Sequence, residues 1–166
     1  MNPRDGCRAC VDIRDRHSGG PATGLTVWDG AKALTRYVEA SRRKLAVSGK
    51  TVVELGSGCG LLAVALAHLG ARVAATDLPG VLDNLRRNVG ANVRACAPLA
   101  TAARSRVRPG ASRAHVFTLE QTSDAPGRVD VSAYEWGADF GALAALRPGV
   151  HARGRVLPAL TAALPR

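Results

Sequence analysis

The stretch that decides the fold is residues 51–69, which read TVVELGSGCGLLAVALAHL. Its first five residues are mostly β-branched and apolar, which is typical of a short buried strand. The glycine cluster at 56–60 ends that strand, and the apolar run at 61–69 predicts a helix that ends at Gly70. Residues 71–77 predict a second strand, so the whole segment indicates a right-handed βαβ unit and a parallel sheet.

The flanking segments extend this α/β pattern in both directions. Residues 28–38 predict a helix whose apolar face consists of Trp28, Ala31, Leu34, Tyr37 and Val38. Residues 82–89 predict a further short helix, and residues 114–119 and 129–137 predict strands. Near the end of the chain, residues 156–164 predict an apolar helix.

Three features depart from this pattern in composition. Residues 1–22 are polar and contain Gly and Pro, so we expect a flexible leader before a single domain, partial in extent, over 23–166. Cys7 and Cys10 have the spacing of half a zinc site, but no second ligand pair follows, so we predict no metal site. Residues 97–113 contain several arginines and no acid, which predicts a disordered basic insertion.

The overall composition is that of a globular protein, with 46% hydrophobic and 22% charged residues. The formal net charge of +10 would suit a nucleic-acid partner. However, the basic residues form no dense stripe with aromatic residues, which make up only 4% of the chain, so we expect no nucleic acid. The amino terminus has no signal-peptide core, and the apolar run at 61–67 is too short for a membrane helix. We therefore expect no membrane partner and a cytoplasmic location, with the nucleus as a second location.

The glycine turn is compatible with two kinds of ligand. Residues 58–63 match the Gly-x-Gly-x-x-Ala pattern of dinucleotide sites, and Asp77 follows at a suitable distance to bind a ribose. Glu54 precedes Gly56 by two residues, where an anion would repel a pyrophosphate but would accept hydrogen bonds from a primary ammonium. An ammonium, a ribose and no phosphate describe S-adenosylmethionine. A nicotinamide dinucleotide, or a structural turn that binds nothing, is the alternative.

Further motifs carry a resemblance to a known family. In chain order they are TGLTVWD at 23–29, VVELGSGCGL at 52–61, ATDLP at 75–79, Leu85 with Asn88 and Asn92, and EWG at 135–137. In this combination the chain resembles the S-adenosylmethionine-dependent protein lysine methyltransferases of the methyltransferase-16 family, well over residues 23–93 and loosely over 129–140. The resemblance implies a Rossmann-like, doubly wound parallel sheet of the class I methyltransferase type. It also implies S-adenosyl-L-methionine as cofactor, N-lysine methylation, and a protein substrate with a target lysine.

The resemblance also implies which residues contact the cofactor. They are Trp28 of the Trp-Asp motif, the turn residues Gly56, Ser57, Gly58 and Gly60, then Asp77, and Trp136 of the Trp-Gly motif. We add Glu54, for the ammonium group, and Leu78, which follows Asp77, to the candidate cofactor-binding residues. On the residues alone, packing in the core is the alternative for Trp28 and Trp136.

The resemblance weakens after Phe140. Family members follow the Trp-Gly strand with a strand that ends in Asp-x-x-Tyr near the methyl-acceptor pocket, and this sequence contains no Asp-x-x-Tyr. We therefore expect a chain truncated after the Trp-Gly motif, with the C-terminal half of the sheet incomplete, and we assign no catalytic residue. The strand that carries Glu54 should then lie at an open edge with apolar surface uncovered. A non-catalytic fragment that retains only cofactor binding or protein interaction is the alternative function.

Overall fold

The computed structural model describes residues 8–16, 23–93, 112–120 and 127–138. Its strands are β1 (Arg8–Arg16), β2 (Thr51–Leu55), β3 (Arg72–Asp77), β4 (Ser112–Glu120) and β5 (Arg128–Ala133). Its helices are α1 (Asp29–Ala40), α2 (Arg42–Leu45), α3 (Leu61–His68) and α4 (Leu82–Asn92), with short 3-10 helices at Thr23–Leu25 and Pro79–Val81. None of the helices in these ranges has the length and apolarity needed to cross a membrane. The helix predicted at 156–164 lies outside the described residues.

The larger sheet is parallel and has the strand order β2-β3-β5. Val73 of β3 lies opposite Val52 of β2 on one side and opposite Val129 of β5 on the other. The connection from β2 to β3 runs through α3, which is apolar on almost every side and is buried over most of its length. These features confirm the predicted α/β fold, its βαβ unit and its parallel sheet.

Within the described part of the chain, the outer edge of β2 has no neighbouring strand. Among the residues that the structure describes, β3 is the one strand that pairs with β2. The side chains of Val53 and Leu55 are 43% and 40% exposed. Apolar side chains of a strand that would be central in a larger sheet therefore face solvent here.

A second, two-stranded sheet corrects the prediction of a flexible leader over 1–22. β1 pairs with β4 in antiparallel register, from Arg8 opposite Glu120 to Arg16 opposite Ser112. The side chains of Val11 and Ile13 are fully buried and belong to the main core. The prediction is therefore wrong for residues 8–16, because two alternating apolar residues suffice for a strand when a core is available to bury them. Residues 1–7, with Cys7, and residues 17–22 lie outside the described ranges.

The start of β4 and the orientation of α1 differ from prediction in smaller ways. Ser112 and Arg113 belong to β4, so the insertion predicted over 97–113 ends earlier, and 97–111 lie outside the described residues. In α1, the buried residues are Thr35 and Val38, whereas Tyr37 is 51% exposed and Trp28 lies just before the helix. The apolar face predicted for α1 is thus partly wrong, because contact with α3 selects a face centred on Thr35 and Val38.

Candidate cofactor site

The glycine turn between β2 and α3 adopts a backbone that favours glycine. Gly56, Gly58 and Gly60 all have positive φ angles, of 70°, 53° and 84°. A Cβ atom at Gly58 would lie 3.3 Å from the carbonyl oxygen of Gly24, so the turn is also closely packed there. Ser57 N donates a hydrogen bond of 2.9 Å to Thr76 O, which fixes the turn against the end of β3. The turn therefore exposes backbone to a ligand at the carboxyl end of the sheet.

Asp77, at the end of β3, fastens this turn through its carboxylate. Its Oδ2 accepts a 2.6 Å hydrogen bond from Gly58 N, and its Oδ1 accepts a 2.7 Å bond from Leu78 N. The residue is 9% exposed. Because each carboxylate oxygen has two lone pairs, both oxygens retain capacity for another donor, such as a ribose hydroxyl.

Glu54, on β2, carries an acceptor that has no partner in the described part of the chain. Its Oε2 is shielded from solvent and makes no hydrogen bond. Burial, and secondarily the charge of Asp77, raise the pKa of Glu54 to about 7, although hydrogen bonds involving Ser57 and Ala63 act in the opposite direction. A buried acceptor without a donor is uncommon in proteins and indicates a missing partner. A ligand ammonium would supply that donor.

Trp136 lies against the same turn. A Cβ atom at Gly56 would be 3.4 Å from Cζ2 of the Trp136 indole, so this part of the ring lies next to the glycine backbone. β5 ends at Ala133, four residues before the predicted end at Gly137, and Tyr134 N then donates to Asp77 O at 3.0 Å. This bond holds the segment with Trp136 beside the carboxyl end of β3.

Trp28 is hydrogen-bonded to the segment 23–25, which in turn contacts the glycine turn. Its Nε1 donates a 2.7 Å hydrogen bond to Thr23 O, and the neighbouring Gly24 O accepts a weak bond from Cys59 Sγ at 3.8 Å. The indoles of Trp28 and Trp136 are 55% and 68% exposed, so core packing is wrong for both. Leu78, beside Asp77, is 49% exposed and adds a third apolar side chain at the site's surface.

Cys59, inside the turn, has a buried thiol that contacts Gly24 O. Burial, and secondarily the charge of Asp15, raise the pKa of its thiol to about 12, so it stays protonated near neutral pH. Its carbonyl oxygen accepts a 2.9 Å bond from Asn88 Nδ2. The sequence motifs contained Asn88 and Asn92 but gave them no role. Their spacing of four residues along α4 was the available signal that both lie on one helical face.

The fold and this site define a class before any relative is considered. A parallel sheet with a glycine turn after β2, a carboxylate on β2, another at the end of β3 and an indole over the turn is the arrangement of Rossmann-like class I methyltransferase domains. A protein-family model described as lysine methyltransferase, that of the methyltransferase-16 family, matches residues 10–105. The chain belongs to this family.

Three curated relatives illustrate the similarity. EEF1A lysine methyltransferase 3 of Xenopus tropicalis is 37% identical over 87 residues, which are 52% of this chain and 38% of the relative. Protein-lysine methyltransferase METTL21E of Mus musculus is 38% identical over 76 residues, 46% of this chain and 31% of the relative. Protein N-lysine methyltransferase METTL21A of Danio rerio is 42% identical over 67 residues, 40% of this chain and 30% of the relative. The matched part thus spans well under half the length of each relative.

Proposed function

We propose that this chain binds S-adenosylmethionine and acts in the methylation of lysine side chains of a protein substrate. The family supports the reaction type, and the names of the relatives support a protein substrate. The observation that carries the cofactor assignment is the pair of carboxylates at the turn. Asp77 is bonded to backbone on both oxygens, whereas Glu54 Oε2 is buried without a donor.

The residues present fit this cofactor group by group. Glu54 would accept a hydrogen bond from its amino group, and Asp77 would accept bonds from its ribose hydroxyls. Exposed apolar surface for the adenine and the methionine chain is available from Trp28, Leu78 and Trp136. A nicotinamide dinucleotide fits less well, because its pyrophosphate would lie near the Glu54 carboxylate.

The chemistry divides between the cofactor and the chain. When bound, S-adenosylmethionine supplies a sulfonium methyl group that a neutral amine can attack. The chain contributes binding and orientation: the backbone of the turn at Ser57, Gly58 and Gly60 permits close approach, and Asp77 holds that backbone in place. Correct alignment accounts for much of the rate of such displacements. We assign no catalytic base.

Calorimetric titration of the full chain with S-adenosylmethionine, S-adenosylhomocysteine and NAD tests the cofactor assignment. We expect binding of the first two and no binding of NAD, and we expect Asp77→Ala to abolish binding. The matched control is Asp83→Ala, because Asp83 is an exposed acid of α4 that pairs only loosely with Arg86, at 3.6 Å. Unchanged affinity in the Asp77 variant would refute the assignment.

A second candidate is a domain that binds the cofactor without transferring the methyl group. Among the described residues β2 has an open edge, and its Val53 and Leu55 are exposed, which favours this candidate. A sheet packed incompletely beside the site would position the reacting groups less precisely, and a misplacement of about 1 Å can cost roughly a hundredfold in rate. Incubation of the chain with a cell lysate and tritiated S-adenosylmethionine separates the two. Binding without incorporation of label supports the second candidate, and rapid labelling of a protein band supports the first.

We also propose that the protein works in the cytoplasm. The free, buried thiol of Cys59 accords with a reducing compartment. Imaging of the tagged protein in cells tests this location. A nuclear fraction is compatible with the proposal, and a secretory or other organellar distribution would contradict it.

A further inference from the structure

We propose that Asn88 is a positioning residue for the cofactor site and that it couples this site to the two-stranded sheet of β1 and β4. This inference rests on the proposed function for its effect on the cofactor. The contacts that support it join three parts of the chain, namely β1, α4 and the glycine turn.

Two asparagines of α4 bind the edge of β1 that β4 leaves free. Asn88 Oδ1 accepts from Arg14 N at 3.1 Å, and its Nδ2 donates to Arg14 O at 2.9 Å. Asn92 repeats the pattern with Asp12, accepting from its N and donating to its O, both at 2.8 Å. Four residues along a helix rise about 6 Å, and two along a strand rise about 6.8 Å, so the spacings match. The two side chains therefore make the hydrogen bonds to the backbone of β1 that a neighbouring strand would make.

Asn88 makes one more contact, and it leads to the glycine turn. Its Nδ2 also donates to Cys59 O at 2.9 Å, and the side chain is 1% exposed. Asn84 also lies between β1 and the turn, because its Nδ2 contacts Arg14 O at 3.1 Å and Cys59 Sγ at 3.6 Å. A single buried amide group thus joins the backbone of β1 to the backbone of the turn.

The turn is consequently held from two sides. On the side of β3, Asp77 accepts from Gly58 N, and on the side of α4, Asn88 donates to Cys59 O. If the bond from Asn88 is lost, the turn can relax away from the conformation that the cofactor needs, and affinity falls. By thermodynamic reciprocity, bound cofactor then also stabilises the packing of the two-stranded sheet of β1 and β4 against α4.

Asn92 provides a matched control among the asparagines of α4 that bind β1. Like Asn88, it accepts one bond from β1 and donates two bonds to backbone carbonyls, and it is 5% exposed. Its second carbonyl partner, however, is Asn88 O in its own helix, at 2.7 Å, instead of the turn. Asn88→Ala and Asn92→Ala therefore lose equal numbers of bonds, but only the first loses contact with the turn.

The test compares these two variants of the full chain by three measurements: urea unfolding, calorimetric affinity for S-adenosylmethionine, and the ¹³C′ resonance of Cys59 without ligand. We expect similar losses of stability in both variants. We expect Asn88→Ala to weaken affinity about threefold to tenfold, the effect of one ordinary hydrogen bond, and Asn92→Ala to change it less than about twofold. The Cys59 resonance should move in Asn88→Ala and stay unchanged in Asn92→Ala.

Two results would overturn the inference. One is an equal loss of affinity in both variants, which would show that the two asparagines contribute only to the packing of β1 on α4. The other is an unchanged Cys59 resonance in Asn88→Ala. If the wild-type chain binds no S-adenosylmethionine, the proposed function fails, while the resonance still decides whether Asn88 positions the turn. Should Asn88→Ala not fold, Asn88→Asp and Asn92→Asp replace the pair, because the isosteric acid keeps the acceptor that β1 needs and removes both donated bonds.

Discussion

β2 and β3 lie side by side in one parallel sheet, yet the strand with the larger apolar side chains is the less buried. β2 reads TVVEL and β3 reads RVAATD. Val53 and Leu55 of β2 are 43% and 40% exposed. Their neighbours on the same face of β3, Ala74 and Thr76, are 5% and 0% exposed. Val73, on the other face of β3, is fully buried. The difference follows from position, since β3 has a strand on each side and β2, within the described residues, has one. Burial in a sheet depends on neighbours more than on the hydrophobicity of the strand itself.

The two carboxylates of the site, one on each strand, also differ in their hydrogen bonds. Asp77 on the covered strand has hydrogen bonds to both oxygens, from Gly58 and Leu78. Glu54 on the edge strand has an oxygen that is buried without a donor. The satisfied carboxylate holds the backbone of the turn, and the unsatisfied one retains an acceptor without a partner among the described residues.

The largest expected effect comes from filling the turn that links the two strands. Gly58→Arg forces a side chain onto a positive φ angle of 53° and toward Gly24 O, and it displaces the amide that Asp77 holds. We expect affinity for S-adenosylmethionine to fall at least about a hundredfold. Gly30→Arg is the control, because Gly30 is exposed and a Cβ there meets nothing within 4 Å. Wild-type affinity in Gly58→Arg would mean that the ligand lies elsewhere.

The comparison of the strands themselves is tested by the same truncation on each. Val73→Ala removes two buried methyl groups from β3 and should reduce the free energy of unfolding by about 2 to 3 kcal/mol. Val53→Ala removes the same groups from the exposed face of β2 and should cost less than about 1 kcal/mol. Urea unfolding measures both values. Equal losses would show that Val53 and this face of β2 are covered in solution.

A smaller effect should appear in the pH dependence of stability. The pKa of Glu54 is raised to about 7 from 4.5, so between these values the folded chain holds a proton that the unfolded chain has released. Its stabilising contribution is present below pH 4.5 and is lost as the pH rises through 7, by an amount on the order of 2 kcal/mol given partial exposure to solvent.

This pH dependence is read from urea unfolding at several pH values between 4.5 and 8. The control is Glu54→Gln, in which the slope due to this group should disappear. Affinity for S-adenosylmethionine should rise between pH 6 and 7.5 in the wild type, because the ionised carboxylate is the form that binds an ammonium. A wild-type slope that persists in Glu54→Gln would assign the titration to another group.

The smallest expected effect concerns the connection between α4 and β4, residues 97–111, which belong to neither β2 nor β3. Their basic, proline-containing composition predicts no contribution to a core. Replacing them with a short Gly/Ser linker should therefore change the melting temperature by only a few degrees, as measured by circular dichroism. Loss of cooperative unfolding would show that these residues help to hold β4 on β1.

Much of the fold could be predicted because its signals are local. The segment at 51–77 contains its strand, turn, helix and strand in sequence, and β3 ends on Asp77 as predicted. The open edge of β2 among the described residues was expected from the family resemblance, which implies a flanking strand that we do not find in this sequence. By contrast, β1 was not predicted, because its partner β4 lies about a hundred residues further along the chain and its sequence is polar at every second position.

The candidate site divides in the same way. The identities of Glu54, Asp77 and the glycines follow from sequence, because the chemistry of a ligand restricts which residues suit those positions, and their binding of a cofactor stays a prediction. The positions of Trp28 and Trp136 at the surface do not follow from sequence, since an indole suits a core equally well.

The sequence by itself determined the strand, turn, helix and strand of residues 51–77 and the carboxylates beside the turn, because hydrophobic period and glycine act on neighbouring residues. Only the tertiary structure decided which apolar side chains are buried, that Trp136 lies over Gly56, and that Asn88 and Asn92 complete the edge of β1. These contacts depend on groups that are distant in the chain and that meet only when the parallel sheet, α4 and the two-stranded sheet pack together. The hydrogen bonds of an amide side chain are decided by the backbone groups that packing leaves without partners.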